Sequence, residues 1–434
     1  MSISIRPLTS RFALLGAVLA MVAAAATTVP TTAAAAASEG LQCDTSPSNA
    51  FTLTAGDGFV STPDGNSIYM WSYGSALRDF QLPGPMLCVT SGESVTVVLH
   101  NRLPEATSIL FPGQTGVRAN GNPAQPEYSA SVPPQLTSMV QSAAATTGSV
   151  TYTFTAGAPG TYLYKSGTDV DKQVQMGLFG ALVVRPANHP GQVNDRADSA
   201  FNPDHEYLFL LSEVDPDVHL AVERKAPINW AAYNARYFMI NGRSMPDTLA
   251  PNNATWLPSQ PYGAFVHIRP WDVAANPLPA SIRYVNAGTV NYPFHPHGSD
   301  ERVVNKDGQP LQGPTGQDLS YSKYDLDVAP GQTLDVLMDW RDVEHWNALT
   351  NPVPTQIPAI TDQLLVGTET WFSESPYLGT KNALPSTITD NNQCGEYYHI
   401  AHSHALQQAT NFGATFGGMM TVYRIDPPTG CPGN

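Results

Sequence analysis

Apolar and polar positions alternate along much of the chain, and this period of two predicts strands. The clearest run in the first half is 92–101, Gly92-Glu-Ser-Val-Thr-Val-Val-Leu-His100-Asn101. Similar runs at 66–71, 148–155 and 160–164 read as further strands, and Leu82-Pro-Gly-Pro-Met-Leu-Cys88-Val reads as a turn feeding one. A continuous apolar run at 177–185 reads as a buried strand that closes a first domain. In the second half, strands are expected at 207–212, 237–242, 263–270 and 281–286. Residues 324–338 read as two strands about the Pro330-Gly331 turn, and a last strand ends at Arg424. Between these runs, 39–63 reads as a polar entry segment, 123–147 as loop, 186–204 as a link and 340–391 as a long insertion.

The pattern implies an all-β protein built from sandwiches, and composition agrees. Pro (38) and Gly (34) are too frequent for a helical chain of 434 residues. The length supports two or three domains. Net charge is −15 with only 13% charged residues, which argues against nucleic acid as a partner. Residues 1–37 read as a secretory signal: Arg6 and Arg11, an apolar run from Phe12 to Ala26, then small residues. There is no Arg-Arg pair, so general secretion is expected, to the periplasm or outside the cell. No other stretch is apolar enough to span a bilayer. Export permits disulfides. The four cysteines allow three pairings, of which Cys43–Cys88 and Cys394–Cys431 each stay within one half.

The halves can be laid on each other. A strand ends at Asn101, and twelve positions on lies Gly113; another ends at Asn286, and twelve positions on lies Gly298. Leu110 and Pro112 then take the places of His295 and His297. Nearer each end, Gly160 to Gly167 parallels Tyr397 to His404, and Gly180–Arg185 parallels Gly418–Arg424.

Two His-x-His pairs, His295-Pro-His297 and His402-Ser-His404, lie in the second copy. Eleven histidines scattered over the chain would give about 0.3 such pairs by chance. On a strand, residues two apart share a face, so both imidazoles of a pair can reach one metal. The bland alternative is a hydrogen-bonded cluster without metal. His100 and His267 stand alone on strands, where a histidine is more often structural than a ligand.

Tyr292 to Gly298 resembles the His-Pro-x-His-x-His-Gly motif of multicopper oxidases, and His402-Ser403-His404 through Gly418-Met419-Met420 resembles their His-Cys-His…Gly-Met segment. Leu82-Pro-Gly-Pro-Met, Asn241-Gly-Arg, Val285-Asn-Ala-Gly and Val328-Ala-Pro-Gly-Gln are similar to that family too. The resemblance implies two tandem cupredoxin-like (plastocyanin-like) Greek-key β-sandwich domains, expected at 40–190 and 204–428. In that family a blue copper with a Cys thiolate takes electrons from substrate, and a three-copper cluster held by four His-x-His pairs passes them to dioxygen.

Here the thiolate position is Ser403 and the first histidine position is Tyr292, so a blue site is expected to be absent. The first-domain pairs read Leu110-Phe-Pro112 and Lys165-Ser-Gly167, which removes half the cluster ligands. The remaining metal candidates are His295, His297, His402 and His404, with His399 near by and Tyr292 and Tyr398 as supporting side chains. The expectation is one copper ion, with zinc as the alternative, in a secreted oxidoreductase acting on a small molecule or a metal ion. A second expectation is a non-catalytic cupredoxin scaffold for copper sequestration or extracellular assembly. A hydrolase reading is weaker, since no Gly-x-Ser-x-Gly elbow is present.

Overall fold

The computed structural model describes residues 39–343, 397–413 and 417–428, with the short strands Leu365–Val366 and Glu369–Thr370. The expected signal segment, most of the 340–391 insertion and the Cys394–Cys431 pairing lie outside the described residues. The Cys43–Cys88 disulfide is present.

The first half contains β1 (Ala50–Ser61), β2 (Ser67–Gly74), β3 (Leu87–Thr90) and β4 (Ser94–Asn101). These are followed by β5 (Ser149–Thr155), β6 (Gly160–Lys165), the short helix α1 (Val170–Gln175) and β7 (Phe179–Arg185). One sheet runs β2-β1-β4-β5 and the facing sheet runs β6-β7-β3. Strand β1 corrects the reading of 39–63 as a mere polar entry. Gly56-Asp57-Gly58 mimics a turn signal, yet Phe51, Leu53 and Ala55 alternate into the core. A Cβ on Gly58 would stand 2.5 Å from the Phe80 ring, so the glycine is a packing requirement. Within 123–147, Glu127–Tyr128 and Leu136–Ser138 pair as two short strands.

The second half opens with β8 (Glu206–Val214) and the helix α2 (Pro216–Glu223). Then come β9 (Tyr237–Ile240), β10 (Val266–Ile268), β11 (Ala280–Asn286), β12 (Tyr292–Pro296) and β13 (Glu301–Lys306). It ends with β14 (Leu326–Val328), β15 (Thr333–Met338), β16 (Tyr397–Ser403), the helical turn α3 (Leu406–Ala409) and β17 (Met420–Ile425). One sheet runs β9-β8-β11-β15-β13; the other runs β10-β17-β16-β12-β14.

The internal repeat is therefore structural. Strand β1 is parallel to β4 as β8 is to β11, and β3 is parallel to β7 as β10 is to β17. Asn101 and Asn286 end equivalent strands and spend their amides alike. Each side-chain oxygen accepts from the backbone two residues on, and each Nδ2 donates to the carbonyl four residues on. Gly113 and Gly298 both have φ near 81°, where a side chain would be strained. A Cβ on Gly113 would meet the Tyr162 ring at 2.6 Å, and one on Gly298 the His399 ring at 2.3 Å. Tyr162 thus stands where His399 stands. One detail of the expected alignment shifts: Lys165 pairs with Phe179 as His402 pairs with Met420, so Arg185 corresponds to Asp426 rather than Arg424.

The two sandwiches bury a shared apolar layer that includes Leu82, Met86, Leu163 and Phe179 with Leu208, Leu210, Met239 and Val285. Beside it lies a buried ionic cluster. Arg283 meets Glu206 at 2.8 Å and Asp335 at 2.8 Å, Arg185 meets Glu206 at 2.7 Å, and Thr161 Oγ1 donates to Asp335 at 2.5 Å. No helix of the described residues is long and apolar enough to cross a membrane.

Inside the second sandwich, Glu301 is fully buried and accepts from Tyr284 at 2.9 Å and Tyr423 at 3.1 Å. Burial pushes its pKa up to about 7, against the pull of the two hydroxyls. An acid with a raised native pKa stays protonated while the unfolded chain ionises. Stability therefore falls as pH rises from the ordinary glutamate range to about 7, by about 3 kcal/mol from this residue. Glu301→Gln keeps the neutral form, so denaturant titrations of the two proteins should converge near pH 4 and favour the variant near pH 8. Parallel pH profiles would refute this reading.

Candidate metal centre

Strand β12 is short, and its composition holds it extended. Pro293 and Pro296 exclude helix and have no N–H to give the ladder. It pairs with β16 on one side and β14 on the other. His295 is paired directly with His402, and Phe294 with Ser403. Beyond the strand ends, His297 N–H donates to the Ile400 carbonyl at 2.9 Å, and His404 N–H to the Pro293 carbonyl at 2.7 Å. Strand alternation then turns Tyr292 and Phe294 inward, leaving His295 on the opposite face.

All four predicted histidines come together. Ring centroids lie 4.7 Å apart for His295 and His297, 5.1 Å for His295 and His404, and 5.3 Å for His297 and His402. His402 is buried, His295 and His297 are half-buried, and His404 is exposed. His402 Nδ1 faces the Ser403 carbonyl at 2.8 Å, and His295 Nδ1 faces the Tyr324 carbonyl. A carbonyl can only accept, so both Nδ1 atoms carry a proton, and in a neutral ring that leaves the lone pair on Nε2. His402 has its pKa lowered to about 4, mainly by burial and also by the neighbouring imidazoles, so it is neutral over the ordinary pH range.

His297 Nε2 and His402 Nε2 are 3.3 Å apart. Two nitrogens bound about 2.0–2.1 Å from one ion at a tetrahedral angle would be about 3.3 Å apart. The same distance also suits an N–H···N bond between neutral rings. As the side chains stand, no group of three donors among the described residues is gathered for a metal. His404, exposed beside His295 and His402, is the ring with most room to turn toward the pair. In ligand type the set is one that copper or zinc takes, and His297 and His402 bring their Nε2 atoms to the spacing a shared ion would need.

The neighbouring candidates have other work. His399 projects from β16 toward Trp340, whose Nε1 donates to its Nε2 at 3.1 Å, and the Gly298 backbone packs on its ring. Tyr292 sends its hydroxyl to the buried Glu213, away from the four rings. Tyr398 is buried with Met245, Leu249 and Phe265. Tyr292 and Tyr398 are thus core side chains rather than supports of the histidines.

At the blue-copper position, Ser403 is buried and donates to Gln408 Oε1, while Gln408 Nε2 donates to the Asn291 carbonyl at 3.1 Å. Hydroxyl and amide satisfy each other there. In the first sandwich, Leu110 and Lys165 form a bridge with the pairing of His295 and His402, through Leu110 N–H to the Lys165 carbonyl at 2.7 Å. Lys165 is half-buried and its pKa is lowered by desolvation. An alkyl chain and an ammonium thus stand at the positions that correspond to His295 and His402.

Glu213, Gln408 and Tyr324 escaped the sequence reading. Gln408 had a signal, a polar residue five positions after Ser403. Glu213 and Tyr324 had none, because they meet Tyr292 and His295 only through the fold.

Residues 74–189 match a family model described as multicopper oxidase. Over 156 residues the chain is 31% identical to multicopper oxidase CTB12 of Cercospora beticola, covering 35% of this chain and 21% of that protein. The chain thus spans about a fifth of the length of that curated relative. Among solved structures, a blue copper oxidase from Nitrosomonas europaea superposes with a TM-score of 0.57 at 18% identity, covering 88% of this chain and 86% of that one. The multicopper oxidase mgLAC superposes with 0.56 at 19% identity, covering 87% and 86%. The architecture is that of the cupredoxin-like multicopper oxidases. The residues that match the multicopper oxidase model, 74–189, lie in the first sandwich.

Proposed function

We propose that this chain is a secreted copper-binding protein with oxidoreductase chemistry at His295, His297, His402 and His404, lacking a blue copper and half of the usual cluster ligands. The observation that carries this reading is the 3.3 Å approach of His297 Nε2 to His402 Nε2, with His402 Nδ1 tied to the Ser403 carbonyl. A His with Nδ1–H on a carbonyl and Nε2 free is the arrangement found around protein-bound metals.

Copper, when bound, supplies one-electron redox chemistry. The chain's own part is to hold the imidazoles. Strand β16 fixes His402, the ladder to β12 sets His295 opposite it, and the Ile400 carbonyl holds the backbone of His297. Exposure of His404 leaves one side open to solvent and substrate. Ser403, tied to Gln408, offers no thiolate. The four-electron reduction of dioxygen is therefore not expected.

Copper loading of the metal-free protein, followed by metal analysis and assays with phenols and reduced metal ions, tests this reading. About one tightly held copper per chain and slow oxidation of one substrate class are expected. No retained copper would end the proposal. Leu110 and Lys165 favour a second reading, copper sequestration without turnover, which predicts bound copper and no oxidation.

A further inference from the structure

A cavity lies away from the histidines, between the β1–β2 turn, helix α2 and β9. It measures about 660 Å³, within the range of small-ligand sites. Its apolar lining includes Ile68, Tyr69, Leu220, Tyr237 and Met245. Its charged lining is one-sided: Asp64, Asp217 and Glu223 against Arg236.

The Arg236–Asp217 pair, at 3.0 Å, cancels one charge of each sign. Among the described residues Asp64 is met only by neutral donors, Tyr237 OH at 2.9 Å, Asn66 Nδ2 at 2.9 Å, Asn66 N–H at 3.3 Å and Thr62 Oγ1 at 2.5 Å. Slight burial would raise its pKa, but these bonds prevail and lower it, so the carboxylate persists. Glu223 ends helix α2, where a negative charge faces the negative end of the helix dipole. It has no cation partner among the described residues, so local stability gives no reason for a carboxylate there. Two uncompensated carboxylates thus face a cleft with two tyrosine rings.

We infer that this cleft binds an organic cation, an amine with an apolar or aromatic body. The ammonium would sit between Asp64 and Glu223, and the body against Tyr69, Tyr237 and Leu220. Tyrosine faces attract such a cation as well. Nothing in this assignment depends on copper.

The test is calorimetric titration of the metal-free full chain with phenethylamine, 2-phenylethanol and phenylacetate, which share a ring and differ in charge. The amine should bind at least about tenfold more tightly than the alcohol, and the acid should not bind. Glu223→Gln, at an exposed helix end, should weaken the amine about three- to tenfold, and Glu223→Lys should abolish its binding, with unchanged circular dichroism. Equal affinity for amine and alcohol, an amine affinity unaffected by Glu223→Lys, or no heat up to about 10 mM amine would each overturn the inference. Because no metal is present, failure here leaves the histidine site untouched, and failure to retain copper leaves this cleft untouched.

Discussion

Arg283→Met is expected to destabilise the fold by about 3–5 kcal/mol, as removal of one partner from a buried ion pair does. Arg283 is fully buried. It binds Glu206 and Asp335, and donates to Thr161 Oγ1 at 3.1 Å. The substitution leaves Asp335 with Thr161 alone and Glu206 with Arg185 alone. Burial alone would raise the Glu206 pKa, but Arg283 and Arg185 outweigh it and hold the group below its usual range. A depressed native pKa contributes stability above the unfolded pKa and loses it as pH falls through the native one. The penalty of Arg283→Met should therefore be largest near neutrality and shrink in acid, where the stranded carboxylates can protonate. Denaturant unfolding at several pH values measures it; a penalty under about 1 kcal/mol at pH 7 would show that the cluster contributes little.

His402→Ala should lower copper affinity about a hundredfold or more, since even residues that merely support ligands cost ten- to a hundredfold. His402 is the best-fixed of the four rings: buried, neutral, with Nδ1 on its neighbour's carbonyl and Nε2 on His297. His404→Ala should cost less, because that ring is exposed and not yet aligned with the pair. Competition titrations with a copper chelator would rank the variants. Equal affinity in His402→Ala would remove His402 from the ligand set. The Lys165→Ala variant serves as a control that should leave copper binding unchanged.

Much of this was legible in the chain itself, for identifiable reasons. Period-two alternation marks a strand wherever one face is buried, so 94–101 and 149–155 were readable. Strand β1 was not, because Gly56, Asp57 and Gly58 imitate a turn, while the smallness of Gly58 serves its packing against Phe80. The twelve-residue spacing from Asn101 to Gly113 and from Asn286 to Gly298 was readable, since both pairs answer the same backbone demands. His-x-His spacing brought out the four rings because a strand converts it into shared direction. Inward or outward facing was harder. Tyr292 and Tyr398 looked like neighbours of the histidines in sequence, yet strand alternation buries both in the core. Contacts such as Tyr292 with Glu213, 79 residues apart, arise only from the packing of one sheet on the other. The cleft beside α2 was equally hidden, for it brings residues 63–69 of the first half against helix α2 and β9 of the second.

One copper held by second-sandwich histidines without a thiolate is the central expectation for this protein. Metal analysis of the copper-loaded protein, read with its visible and paramagnetic resonance spectra, tests that most directly. About one copper per chain, a weak visible band and the signal of a nitrogen-ligated copper lost in His402→Ala are expected. An intense blue band, or copper retained in full by His402→Ala, would contradict it.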